Sequence, residues 1–107
     1  MSMIIKSTVE NSIAKLVLEG ALDISTVQIF KDEVKNIHKV TELIIDFNEL
    51  SFIDSTGIGS LNQVLNMLNE VKTIFTIKNI SEDVYEVLEL LGLVEIFGKE
   101  IFEPKKH

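Results

Sequence analysis

The chain contains no cysteine. A disulfide framework and a thiolate zinc site are both excluded. Proline occurs once and glycine five times in 107 residues, which argues against a linker-rich or repeat architecture. No internal repeat or low-complexity tract breaks the chain. Long apolar runs are missing near the start: MSMIIKSTVENS holds only a short apolar run before Lys6. That fits neither a signal peptide nor a membrane span, so a cytoplasmic protein with no membrane contact is expected. Basic residues are in deficit, 10 against 17 acidic ones, for a net charge of −7. Such a surface repels phosphate backbones, and direct nucleic-acid binding is not expected. Lys105 and Lys106 make a small basic end that reads as a solvated tail.

What is present is a core. Hydrophobic residues make up 46% of the chain, enough for one domain spanning residues 1–107. Met3 to Val9 is rich in Ile, Thr and Val and reads as a strand. Asn11 and Ser12 mark a turn, and Ala14 to Glu19 reads as a second strand, ended by Gly20 and joined to the first as a hairpin. Ser25 stands where it would cap a helix, with Gln28 three residues on as in a capping box. Val27, Phe30, Val34 and Ile37 then repeat at helical spacing. Glu42 to Phe47 (ELIIDF) is a nearly continuous apolar strand, the pattern of a central strand covered on both faces. Asn48 and Glu49 start a turn.

After that turn comes FIDSTGIGSL, and then Ile58, Leu61, Val64, Leu65, Leu68 and Val71 predict a helix from about Thr56 to about Glu70. Thr73 to Lys78 reads as a strand. Ser81 caps a third helix with Glu82 and Asp83 in its first turn. Its stripe is Val84, Val87, Leu88 and Leu91, and Gly92 closes it. Ile101 and Phe102 can add a last strand that Pro104 stops. Strands alternating with helices predict an α/β fold: one mixed sheet of four to five strands with three helices packed against it.

The segment at 52–61 holds the chemistry. It leaves a buried strand and opens a helix, whose first N–H groups are unpaired and carry partial positive charge. Asp54 or Ser55 can supply the capping oxygen, and Gly57 and Gly59 leave the first turn bare. On local grounds alone the plainer reading is Ser55 as cap with glycines making room. Yet each glycine in a helix interior costs about 1 kcal/mol relative to Ala. A helix built for stability alone is not expected to carry both. A P-loop needs a Lys after its glycines, and none follows; the dinucleotide fingerprint fails at Asn62. Nucleotide binding is thus poorly supported, and no cofactor is expected. A phosphate carried covalently by Ser55 fits better, adding about −1.5 to −2 charge next to Asp54.

Other polar residues read more plainly. His38 and His107, the only histidines, have no partners for a metal site, and His38 suits the C-terminal end of the first helix. Ser55 has no evident base, so no catalytic triad and no enzyme activity is expected. Asp46, Asn48 and Glu49 fail a calcium loop at Leu50 and Ser51. Asp23 reads as a turn or cap residue, with an acidic contact beside Ser55 as the functional alternative.

The stretch LIIDFNELSFIDSTGIGSL resembles the signature of the anti-sigma factor antagonists, single-domain bacterial members of the STAS superfamily. Asp46 and the run Asp54, Ser55, Thr56, Gly57, Ile58 and Gly59 match it. Gly20-Ala21-Leu22-Asp23 is similar to the family's G-x-L-D, and Leu88 through Gly92-Leu93 to its L-x-x-x-G-L. The resemblance implies a STAS-like fold and a partner switch. The unphosphorylated protein would bind an anti-sigma factor that is also a serine kinase of the GHKL ATPase type, and free the sigma factor. Phosphorylation of Ser55 would end binding, and a PP2C-type phosphatase would restore it. The implied contact surface is Asp23, Asp54, Ser55, Thr56, Gly57, Ile58 and Gly59. One departure is the chain end EIFEPKKH, where family members commonly carry a further helix. A signalling scaffold or a transporter accessory subunit is the alternative role for such a module.

Overall fold

In the computed structural model, which describes residues 2–37 and 39–106, the hairpin forms as expected. Strand β1 (Met3–Glu10) pairs antiparallel with β2 (Ile13–Leu22). Asn11 and Ser12 take positive φ values of 52° and 65°, the mirror-image turn whose twist matches the strands it joins. Strand β3 (Glu42–Asp46) lies parallel to β2, β5 (Ile74–Ile80) parallel to β3, and β6 (Phe102–Pro104) parallel to β5.

Two elements go beyond the sequence expectation. A short strand β4 (Leu50–Ile53) pairs with the far end of β2. It continues the line of β3 after a break at residues 47–49, so β2 is flanked twice on one side. Among the described residues the sheet therefore has six strands. Gly20 does not end β2, as expected from the sequence. Its φ is 112°, and a Cβ there would meet the Ser2 carbonyl. The strand bulges at that point and runs on to Leu22 beside β4.

The helices are α1 (Val27–Lys35), α2 (Ser55–Glu70), α3 (Glu82–Leu90) and a five-residue α4 (Leu93–Phe97) that the sequence pattern did not announce. Helices α1 and α2 touch each other over the sheet. Phe30 and Val34 of α1 and Leu61, Leu65 and Leu68 of α2 enter the core. They meet Leu16 and Leu18 of β2, Leu43 and Ile45 of β3, and Phe75 and Ile77 of β5. Each fully buried side chain of this size contributes about 1.5–3 kcal/mol. The expected α1 stripe holds, with Val27 and Ile37 half-buried; His38 lies outside the described residues.

Strand β3 is central but covered on one face only. Ile44 is half-buried between Lys15 and Thr76 on the open side. The α3 stripe also shifts. Ser81 caps the helix through the Val84 N–H, at 3.3 Å. Its packed side chains are Val84, Tyr85 and Leu88, while Val87 and Leu91 are exposed. The helix ends as predicted, with Gly92 left-handed at φ 85°. The Lys105 backbone is tied, not loose: its N–H donates to Ile80 at 2.7 Å.

Candidate functional site

Asp54 ends β4's line and caps α2. Its Oδ1 accepts from the Gly57 N–H at 2.7 Å, so Asp54 and not Ser55 supplies the capping oxygen. The Asp54 N–H donates to the Leu22 carbonyl at 3.2 Å. Its second oxygen accepts from the Ile24 N–H at 3.3 Å. One residue thus ties the end of β2, the loop after it and the start of α2 together.

With the cap taken, Ser55 occupies the first helical position. Ser55 and Thr56 are both exposed. The Ser55 hydroxyl has no hydrogen-bond partner among the described residues. It stands at the positive end of a 16-residue helix, where added negative charge is favoured.

The two glycines differ. A Cβ on Gly57 would run into the Leu22 carbonyl and the Ile53 side chain, so the helix reaches the end of β2 only because no side chain intervenes. A Cβ on Gly59 would meet nothing within 4 Å. Packing explains Gly57 and leaves Gly59 without a reason inside this chain. Ile58 is buried in the core, and the Ser60 hydroxyl donates to the Gly57 carbonyl at 2.7 Å. Gly57 and Ile58 therefore set the turn's position, while Ser55, Thr56 and Gly59 make its surface.

Asp23 lies just across the Ile24 link, but it faces inward and is buried. Its Oδ1 accepts from the Ser25 hydroxyl at 2.6 Å and the Ser25 N–H at 2.9 Å. The expected Ser25 cap therefore does not form: Ser25 turns back to Asp23, and Thr26 precedes α1 with no side-chain cap. The Ser25 hydroxyl holds the Asp23 carboxyl below the usual carboxylate range. Partial burial works against this, and the Ser25 N–H and Thr26 hydroxyl support it. Thr26 is buried too, donating to the Ala21 carbonyl at 2.7 Å and accepting from the Asp23 N–H at 2.9 Å.

Asp46 stands apart from the turn. Its Oδ1 accepts from the Asn48 N–H at 2.8 Å and from Asn79 Nδ2 at 3.0 Å, and Lys15 Nζ lies 3.6 Å from Oδ2. It staples the ends of β3 and β5. Two exposed apolar residues near the turn carry little signal in the sequence pattern. Ile24, on the loop after β2, is 76% exposed and Phe52, on β4, is 43% exposed, two apolar residues on the segments that meet at Asp54. An apolar residue between Asp23 and Ser25 in a tight turn was the available signal for Ile24. No helix among the described residues is long and apolar enough to cross a membrane.

A family model for the STAS domain matches residues 5–106. Among solved structures, an anti-sigma factor antagonist from Mycobacterium paratuberculosis superposes with a TM-score of 0.84 at 18% identity, covering 97% of this chain and 87% of that one. A sulfate transporter family protein from Wolinella succinogenes gives 0.81 at 19%, covering 92% and 81%. The Bacillus cell fate determinant SpoIIAA, in its phosphorylated form, gives 0.72 at 22%, covering 98% and 93%. These likenesses speak to the fold. No curated protein matches the chain.

Proposed function

The chain belongs to the STAS domain family, and from that premise we propose that it is an anti-sigma factor antagonist switched by phosphorylation at Ser55. One observation carries the reading: Ser55 is exposed, without a hydrogen-bond partner among the described residues, at the start of a long helix whose cap is already filled by Asp54. The bare Gly59 supports it, since a partner's backbone can approach there without obstruction.

In this reading the unmodified turn docks on an anti-sigma factor that is a GHKL-type serine kinase. The kinase moves the γ-phosphoryl group of ATP to Ser55 Oγ. An O–P bond forms, ADP departs and the hydroxyl proton passes to the kinase or to water. The turn then carries about −1.5 to −2 more charge. The helix N-terminus stabilises that charge, so the fold survives while the partner meets a dianion beside Asp54. A PP2C-type phosphatase hydrolyses the ester and restores the hydroxyl. Asp54, Thr56 and Gly59 complete the contact surface with Ser55. Gly57, Ile58 and the inward-facing Asp23 hold its shape.

The test is a paired pull-down from the native cell's lysate with Ser55→Ala and Ser55→Glu as baits. The Ala bait is expected to retain a GHKL-type ATPase that the Glu bait loses. Incubation of that ATPase with ATP and the parent chain is expected to place phosphate on Ser55 and not on Thr56. Equal recovery of the same partners on both baits rejects the switch. That result would favour a second reading, a STAS module fixed in a transporter or scaffold, to which the likeness to a sulfate transporter family protein lends weight.

A further inference from the structure

Strand β1 closes one side of the sheet, and no element among the described residues pairs with its outer edge. It runs eight residues, Met3–Glu10, in unbroken register with β2 from Met3↔Gly20 to Glu10↔Ile13. Exposed sheet edges are usually guarded by proline, a bulge, a covering loop or several charges. This one has no proline or bulge, and its only charges are Lys6 and Glu10. Lys6 is drawn across the open face to Glu19, at 3.2 Å. Ile4 and Val9 are 59% and 60% exposed.

The hydrogen-bonding phase of this edge is fixed. The Ala21 N–H donates to the Ser2 carbonyl at 3.1 Å. In an antiparallel pair such bonded residues alternate along the strand. Even-numbered residues of β1 therefore turn their backbone groups toward β2. Ile5, Ser7 and Val9 present theirs outward.

We propose that this edge docks a second copy of the chain, β1 against β1 in antiparallel order about a two-fold axis at Ser7. The sequence of the strand selects that register. Side chains must stay on the same face, so the axis falls on a residue. An axis at Lys6 sets two ammonium groups opposite each other, which is destabilising. An axis at Thr8 sets Lys6 opposite Glu10 of the second copy, but it pairs only residues 6–10 and leaves Ile5 unmatched, and an exposed ion pair of this kind contributes little in water. The axis at Ser7 pairs residues 4–10 throughout. Ile5 then faces Val9 of the second copy on the core side, and Lys6 faces Thr8 of the second copy on the open side. The strand itself is electrically balanced, Lys6 against Glu10, in a chain of net charge −7. Self-approach here meets no net charge on the strand itself.

A strand pair alone buries less than the roughly 1,200 Å² of standard interfaces. The dimer is accordingly weak and concentration-dependent. Start of β1 and end of β2 lie together, Met3 beside Gly20. The two-fold axis thus sends the two Ser55 turns to opposite ends of the shared ribbon, where both stay open.

Sedimentation velocity over a concentration series tests this. The parent chain is expected to pass from monomer to dimer. Ser7→Pro removes only an outward N–H and is expected to stay monomeric with an unchanged circular-dichroism spectrum. Ser7→Lys puts two charges on the axis without touching the backbone, and is expected to weaken the dimer at least about tenfold. Because the chain has no cysteine, Ser7→Cys makes a single thiol whose Cα lies about 5.5 Å from its copy, within disulfide reach. It is expected to oxidise to a covalent dimer faster than Lys6→Cys or Thr8→Cys. A parent chain monomeric at every concentration, or a dimer indifferent to Ser7→Lys, overturns the proposal and leaves the edge to a foreign strand. Faster crosslinking at Lys6→Cys or Thr8→Cys overturns the register.

Discussion

Two helix starts in this molecule are built from nearly the same letters. Asp23-Ile24-Ser25-Thr26 leads into α1, and Asp54-Ser55-Thr56 opens α2. In the first, the acid is consumed locally: its carboxylate takes both the hydroxyl and the N–H of Ser25. In the second, the acid reaches forward to the Gly57 N–H and across to the Ile24 N–H. The single residue Ile24 makes the difference. It places Ser25 two positions from Asp23, where serine folds back onto the carboxylate. Ser55 follows its acid directly, and its hydroxyl is left outside. Composition alone does not make a serine available; spacing from its neighbouring acid does.

The largest expected break comes at Gly57. Gly57→Ala drives a methyl group toward the Leu22 carbonyl, and overpacking of this kind should cost about 3 kcal/mol, read from urea unfolding. Asp54→Ala should follow, at about 2 kcal/mol, because it removes both the cap and the link to Ile24. Gly59→Ala has the opposite sign. With nothing within 4 Å of the new Cβ, it should stabilise the chain by about 0.5–1 kcal/mol. In the switch reading it should also weaken docking, and titration calorimetry against the partner would measure that. The finest probe is acid. Asp23 is held below its ordinary value in the fold. Its contribution is therefore complete above the unfolded value of about 3.9 and is lost as pH falls through the lower folded value. Asp23→Asn should flatten that part of the acid-side stability profile, while Ser55→Ala should leave it unchanged.

Much of this was legible in the chain. Five of the strands and the three longer helices announced themselves through apolar period and turn residues. Strand β4 did not, because Ser51 and Phe52 are exposed and four residues after a turn carry little periodic signal. Helix α4 was hidden because LVEIF is short and apolar on both strand and helix periods. At the site, the bare turn and its serine were visible from the motif. Which residue caps was not, since Asp54 and Ser55 are equally good caps by type. Nor could spacing separate the two glycines: one is demanded by a carbonyl that lies 35 positions earlier, at Leu22, and only the folded chain brings it there.

The triple tie at Asp54 has a kinetic consequence. A recognition loop that is loose in the free protein must be frozen when it binds, and each immobilised side chain costs about 0.5–1.5 kcal/mol. Here the Leu22 carbonyl, the Ile24 N–H and the Gly57 N–H already hold the turn in place. In the switch reading, docking on it would be a rigid-body encounter with little ordering left to do. A charge placed on Ser55 would then act on an unmoving surface, and its effect should be felt as a shortened residence time more than as a slower approach.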